Sequence, residues 1–248
     1  MEAGVRPPRV SLMVPCFNEA AALPGLLERL ADMNGRLEAP WAVLFVDDGS
    51  MDATFALLEE AARSFPWLRV VRHGRNLGLG AALRTGLANL ESPIVCTADA
   101  DGTCPLEVYP ALVKLVEEGA DVAIGSPWHP ASDPPECGLG RRILSRGASL
   151  AYRLATGRAL YSWTSIARAY RRAALVQIPF RSDGFDAVAE ILLGAVVAGL
   201  EIREVPMKLG VRRQGRSKIN IAAAIGGHLV LVARAAAQSQ RRWWRRFR

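Results

Sequence analysis

Lysine is scarce in this 248-residue chain: Lys114, Lys208 and Lys218 are the only ones, so a net charge of +7 rests almost wholly on arginine. Cysteine is also sparse, with Cys16, Cys96, Cys104 and Cys137 and no C-x-x-C spacing. That argues against a disulfide framework or a thiolate zinc site and for reduced thiols in a cytosolic protein. Long apolar runs are missing too. The longest uncharged stretch, Ile219 to Ala233, contains Asn220 and His228. As a helix it reaches about 22 Å, short of the roughly 30 Å of bilayer hydrocarbon, so no membrane span is expected. The first residues, MEAGVRPPRVSLMVP, pass from a Pro-containing arm into a strand-like run without a signal-peptide apolar region. No internal repeat or low-complexity linker divides the chain.

What is present describes one globular α/β domain with a C-terminal appendage: 50% of residues are hydrophobic and 22% charged. The arginines gather at Arg141–Arg142, Arg171–Arg172, Arg212–Arg213 and in the last eight residues, Arg241 to Arg248. Such a basic balance favours anionic partners. Short β-rich runs alternate with helical patterns. Strands are expected at Val10–Val14, Trp41–Val46, Leu68–Arg72, Ile94–Thr97, Asp121–Gly125 and Glu201–Val205. Helices are expected over Glu19–Met33, from a cap at Asp52 to Ser64, and over Leu79–Leu90 and Pro105–Glu118. Further helices are expected over Arg141–Thr156, Asp186–Ala198 and Ile219–Ala237, with a Pro- and Gly-rich loop from Ser126 to Gly140. This alternation predicts a mainly parallel central sheet with helices on both faces. Ligands then bind beyond the carboxyl ends of the strands.

Three polar clusters fall at such ends. Asp99-Ala100-Asp101 follows the buried run Ile94 to Thr97; two carboxylates there suit Mg²⁺ or Mn²⁺, hard cations that take oxygen ligands alongside phosphate. A helix cap or solvated turn would read the same way in isolation. Asp47-Asp48-Gly49-Ser50 repeats the geometry, either as a turn and cap or as a hydrogen-bonding surface for a base or ribose. Pro15-Cys16-Phe17-Asn18-Glu19 lines the same crevice.

The ordered set VPCFNEA, VDDGS, RNLGLGAALRTG and TADADGT resembles the family 2 glycosyltransferases of GT-A fold, within them the polyprenyl-phosphate sugar synthases such as the dolichol-phosphate mannose synthases. The match continues through SRGAS (145–149), GFDAVAEIL (184–192) and EVPMKLGVRRQGRSK (204–218), covering about Val10 to Lys218. The resemblance implies a GT-A domain over residues 1–218. It implies that Pro15, Phe17, Glu19, Val46, Asp47 and Asp48 contact the nucleoside of a GDP- or UDP-sugar. Asp99, Ala100 and Asp101 would serve the metal and diphosphate, with Asp99 and Asp101 as ligands. Arg212 and Lys218, in the R-x-x-G-x-S-K run, match positions that bind the donor diphosphate and a lipid phosphate, and Arg146 faces the acceptor phosphate. The expected reaction is inverting transfer of a sugar to a polyprenyl phosphate, an acceptor already anionic and in no need of a strong base. A hydroxyl acceptor would need one, with Glu190 or Asp186 as candidates. A non-catalytic, membrane-docked scaffold is the other alternative.

Three departures concern the acceptor side and the metal loop. Where the mannose synthases have G-S-R-Y, this chain has Gly125-Ser126-Pro127-Trp128-His129; a frequent Gln is replaced by Thr103; and T-S-G-F-R becomes Thr164-Ser165-Ile166-Ala167-Arg168. The chain is thus read as a side branch. GRNLGLG (74–80) lacks the G-x-G-x-x-G spacing of a dinucleotide loop. His73 and His228 read as structural or solvent-facing, Asp183 and Asp186 as helix caps, and Glu190 as paired with an arginine or turned to the acceptor. Residues 219–248 read as an amphipathic helix and a basic, aromatic tail suited to an anionic membrane face. The resulting expectation is a peripheral protein on the cytoplasmic membrane face, with nucleic acid, which such a tail also suits, not expected as a partner.

Overall fold

The computed structural model describes residues 8–134, 138–210 and 221–245. Along the chain run β1 (Val10–Cys16), α1 (Leu23–Gly35), β2 (Ala42–Asp47), α2 (Thr54–Ser64), β3 (Leu68–Arg72), α3 (Leu79–Ala88) and β4 (Ile94–Thr97). Then come α4 (Tyr109–Glu117), β5 (Val122–Ser126), α5 (Leu139–Thr156), β6 (Arg168–Arg171), α6 (Arg172–Leu175), α7 (Ala187–Ala198), β7 (Ile202–Pro206) and α8 (Ile221–Arg245).

The strands form one seven-stranded sheet in the order β3-β2-β1-β4-β6-β5-β7. β3, β2, β1 and β4 are mutually parallel, as are β5 and β7. The exception is β6, antiparallel to both of its neighbours. Its four residues, Arg-Ala-Tyr-Arg, carry no apolar run, so sequence pattern gave no strand signal there.

Alternation along the strands divides the core into two layers. Leu12, Val14, Val43 and Phe45 face α1, α2 and α4 through Leu26, Leu30, Leu58 and Leu112. Met13, Leu44, Val46 and Val95 face the other way, onto Ala82, Leu83, Val188, Leu192, Tyr152 and Trp163 of α3, α7, α5 and the turn before β6. Helices therefore cover both faces, as a mainly parallel sheet requires. Leu231 and Ala235 join the second layer, so α8 packs against the domain through α5 and α7.

Several boundaries moved for local reasons. β1 continues through Pro15 to Cys16, which pairs with Asp47. The first helix starts at Leu23 rather than Glu19, because the Glu19 carbonyl closes a turn on Ala22 and Leu23 while its N–H goes to Thr54. Pro110 in the first turn of α4 leaves Leu106–Val108 as a separate 3₁₀ turn. Asp52 accepts the Thr54 N–H but sits one residue before the cap position, at Ala53. Among the described residues, no helix is long and apolar enough to cross a membrane.

Candidate active site

β2, β1 and β4 are adjacent and parallel, so their carboxyl ends open side by side. The three polar clusters meet there. Asn18 holds the first loop in left-handed backbone (φ 53°) and clasps the second: its N–H donates to Ser50 Oγ at 2.8 Å and its Oδ1 accepts Met51 N–H at 2.8 Å. Glu19 N–H to Thr54 Oγ1 (2.8 Å) and Ala20 N–H to Asp52 Oδ2 (3.3 Å) extend the clasp. Pro15, Val46 and Glu19 are buried beneath these loops, and Phe17 is half-buried.

Both aspartates of the second cluster are buried and turned inward. Asp47 Oδ1 accepts Ser50 N–H, and Oδ2 lies 3.2 Å from Arg72 Nε, an ion pair without hydrogen-bond alignment. Asp48 accepts three bonds: His73 Nδ1 at 2.7 Å and Leu77 N–H at 2.8 Å on Oδ1, and Gly78 N–H at 2.8 Å on Oδ2. The other His73 nitrogen meets Thr85 Oγ1 at 2.9 Å. Asp48 thus organises the glycine-rich turn, and His73 is structural as its sequence context suggested.

That turn is tied in its far side to the segment before α7. Gly80 N–H donates to Asp183 O at 2.8 Å, and a Cβ on Gly80 would lie 1.8 Å from Ser182 O, so only glycine fits. Arg84 donates to Ser182 O and pairs with Asp183. Glu190 reaches back along α7, its Oε2 accepting the N–H groups of Arg181 (2.9 Å) and Ser182 (2.7 Å). Its hydrogen-bond partners here are therefore backbone groups, rather than the arginine side chain expected. Asp186 stands at the first position before α7 without making a cap bond and lies against Gly227 of α8.

At the end of β4, Asp99 is half-buried and Ala100 buried. Asp99 Oδ2 accepts Thr103 Oγ1–H at 2.6 Å and the Cys104 thiol at 3.1 Å, and Oδ1 accepts Cys104 N–H at 3.2 Å. Burial first, and then the neighbouring Asp101 carboxylate, raise the Asp99 pKa to about 6, although its hydrogen bonds pull the other way. Asp101 Oδ1 accepts Thr103 N–H. Two adjacent, partly desolvated carboxylates are an unfavourable arrangement that a divalent cation relieves, and both offer hard oxygen donors. A Mg²⁺ or Mn²⁺ ion fits this pair. Among the described residues no group of three or more His, Cys, Asp or Glu is placed to hold a metal ion.

Thr103 O also accepts Gly210 N–H at 2.9 Å. The R-x-x-G-x-S-K run, with Arg212 and Lys218, lies outside the described residues. No sequence pattern marked Gly210 or the Thr103–Asp99 bond, since both depend on a crossing between distant segments.

The side expected to face the acceptor is built from rings and hydroxyls. The Arg146 guanidinium lies 5.5 Å over the Trp128 ring, and Trp128 Nε1–H donates to Ser145 Oγ at 2.9 Å, which meets Thr164 Oγ1. His129 packs edge-on to Tyr161. Glu204, which sequence reasoning passed over, receives the N–H groups of Tyr161 and Ser162 and sets this loop. Arg168 is fully buried and donates to Val188 O and Trp163 O, a tie between β6 and α7. Burial raises the thiols of Cys16, Cys96 and Cys104, which stay protonated.

Known proteins resemble this architecture. The dolichol-phosphate mannosyltransferase of Pyrococcus furiosus is 28% identical over 213 residues, covering 85% of this chain and 59% of its own length. The undecaprenyl-phosphate 4-deoxy-4-formamido-L-arabinose transferase of Pseudomonas fluorescens is 37% identical over 165 residues, 66% of this chain and 47% of its own length. This chain thus spans about half to three fifths of the length of these curated relatives. The glucosyl-3-phosphoglycerate synthase of Mycobacterium tuberculosis, crystallised with Mn²⁺, UDP and phosphoglyceric acid, superposes with a TM-score of 0.69 at 21% identity, covering 92% of this chain and 78% of its own. That likeness is one of fold and agrees with the GT-A expectation. The model of glycosyl transferase family 2 matches residues 11–179, well over half the sequence, and the chain belongs to that family.

Proposed function

We propose that this chain transfers a glycosyl group, with inversion, from a GDP- or UDP-sugar to a polyprenyl phosphate at the cytoplasmic face of a membrane. The observation that carries this reading is the bond from Gly210 N–H to Thr103 O, which joins the approach of the Arg212–Lys218 run to the loop of Asp99 and Asp101. The relatives named for dolichol phosphate and undecaprenyl phosphate support the acceptor class.

Pro15, Phe17, Glu19 and Val46 line the nucleoside side, and Asp47 and Asp48 hold the loops that shape it. Asp99 and Asp101 hold Mg²⁺ or Mn²⁺, with Ala100 packed between them. When bound, the cation neutralises charge on the departing diphosphate. Arg146, Arg212 and Lys218 orient the acceptor phosphate, whose own charge makes it the nucleophile without a strong base. Glu190 braces the 181–182 backbone. The basic, aromatic C-terminal tail keeps the protein at anionic lipid.

The test is mass spectrometry of lipid-phosphate products after incubation with mixed nucleotide sugars and divalent metal. A glycosylated lipid phosphate, lost on Asp101→Asn, is expected; consumption of no nucleotide sugar would instead favour a non-catalytic scaffold. Glu190→Gln separates the acceptor classes. Its carbonyl oxygen still accepts both backbone N–H groups, so near-normal turnover is expected, while a base for a hydroxyl acceptor would be lost.

A further inference from the structure

Leu144 of α5 is 42% exposed on another face of the helix, and four further aliphatic side chains stand farther into solvent: Leu139 is 71% exposed, Ile143 62%, Leu150 55% and Leu154 78%. At 100° per residue they fall within about 60° of arc, a single ridge along the helix. Arg142, Arg146 and Arg153 sit about 60–100° from Ile143, all on one flank of that ridge. The ring contacts of Arg146 with Trp128 and of Arg153 with Tyr161 place this flank beside the acceptor loop. α8 packs on α5 and adds exposed Ile221, Ile225 and Leu229 at four-residue spacing. Neither helix contains an aspartate or glutamate.

We infer that the α5 ridge is the element that inserts into an anionic bilayer surface, with its arginine flank at headgroup level feeding the acceptor side. The inference rests on the lipid-phosphate reading and adds where and how the protein meets the lipid. An exposed apolar row needs an apolar partner, which nucleic acid does not offer. A second copy would bring one acid-free, arginine-bearing face against another, since a two-fold interface pairs a patch with itself. A bilayer rich in anionic lipid satisfies both the ridge and its flank, in the manner of an interfacial amphipathic helix.

The experiment is vesicle flotation of the full chain, using phosphatidylcholine with and without about one third phosphatidylglycerol. Wild type should float with the anionic vesicles, and the Leu150→Glu/Leu154→Glu double variant should lose at least about tenfold in bound fraction. Deletion of 241–248 should weaken binding less than the double variant does. Flotation of the double variant at wild-type level overturns the inference, as does loss of all binding on tail deletion alone. So does a dimer in light scattering that the double variant splits, without vesicle binding by wild type. Should the double variant fail to fold, Leu154→Trp in otherwise wild-type protein answers the same question. Brominated lipid should quench the added fluorescence, and no added quenching refutes insertion. Failure of the function reading looks different: wild type floats, yet neither vesicle-borne nor short-chain prenyl phosphate is glycosylated.

Discussion

Asp48→Asn separates two roles for a carboxylate at the crevice proposed for the nucleoside. If Asp48 acts chiefly on a nucleoside, the ligand-free protein should barely notice the change. The structure instead gives Asp48 three internal bonds, to His73 Nδ1, Leu77 N–H and Gly78 N–H, distributed over both oxygens. Asparagine has one acceptor oxygen and one NH₂ group, so either orientation turns a donor onto at least one backbone N–H. Stranding a buried donor and losing charge assistance costs about 2–4 kcal/mol. For a domain of this size that corresponds to a fall in melting temperature of about 5–15 °C. Thermal and urea unfolding of the ligand-free variant measure this directly. A ligand-free variant within about 0.5 kcal/mol of wild type, with nucleotide affinity alone reduced, would refute the loop-holding argument.

Other consequences follow from the same geometry. Asp99 holds its proton to about pH 6, above an unfolded carboxylate near 4, so the folded state binds the proton more tightly. Stability of the metal-free protein should therefore fall as pH rises through that window, and the thermal shift given by Mn²⁺, which replaces the proton, should grow across it; an equal shift at about pH 5 and about pH 7.5 would count against the site. Gly80→Ala places a methyl 1.8 Å from Ser182 O with backbone on both sides. It should cost about 2–3 kcal/mol in urea unfolding, and a neutral outcome would mean the contact yields freely. Glu190→Ala should destabilise by about 1–3 kcal/mol where Glu190→Gln does not, checked by paired melts. Buried, protonated thiols predict that Cys16, Cys96 and Cys104 react with an alkylating reagent only after unfolding, as read by mass spectrometry.

What the sequence disclosed was what short-range pattern controls. Continuous apolar runs placed β2 and β4 with their boundaries nearly right, and the polar residues following them landed at adjacent strand ends. β6 was invisible because its pairing, not its composition, makes it a strand: Ala169 and Tyr170 owe their burial to β4 and β5 on either side. The same distinction holds at the site. Asp99 and Asp101 were legible from spacing and order, whereas the bonds that fix Asp99, from Thr103 and Cys104, are set by how the loop folds back. Asp48 was legible as a site residue, but its inward direction was not, because only the folded chain brings Leu77 and Gly78 to it. Glu190 looked like a charge either paired with an arginine or turned to the acceptor, and the bonds it makes are to two backbone N–H groups eight and nine residues earlier.

These attachments differ in kind across the crevice. On the side proposed for the donor, rigidity comes from carboxylates on backbone N–H groups: Asp48 on Leu77 and Gly78, Glu190 on Arg181 and Ser182, with Gly80 bonded to Asp183 between them. Each charge-assisted bond contributes about 1.5–3 kcal/mol, and losing one strands a donor, so substitution there damages fold and site together. On the side proposed for the acceptor the same device recurs, with Glu204 on the Tyr161 and Ser162 N–H groups, beside the ring contacts of Arg146 with Trp128, Arg153 with Tyr161 and His129 with Tyr161. Cation–ring contacts at exposed sites contribute about 0.5–1 kcal/mol and strand nothing when removed. Of the residues that differ from the mannose synthases, His129 belongs to these ring contacts, whereas Pro127 is buried and Ile166 packs against both layers of the core. Substitution of Arg146, Arg153 or His129 should therefore cost less stability than substitution of Asp48, Glu190 or Glu204, whose loss strands backbone donors.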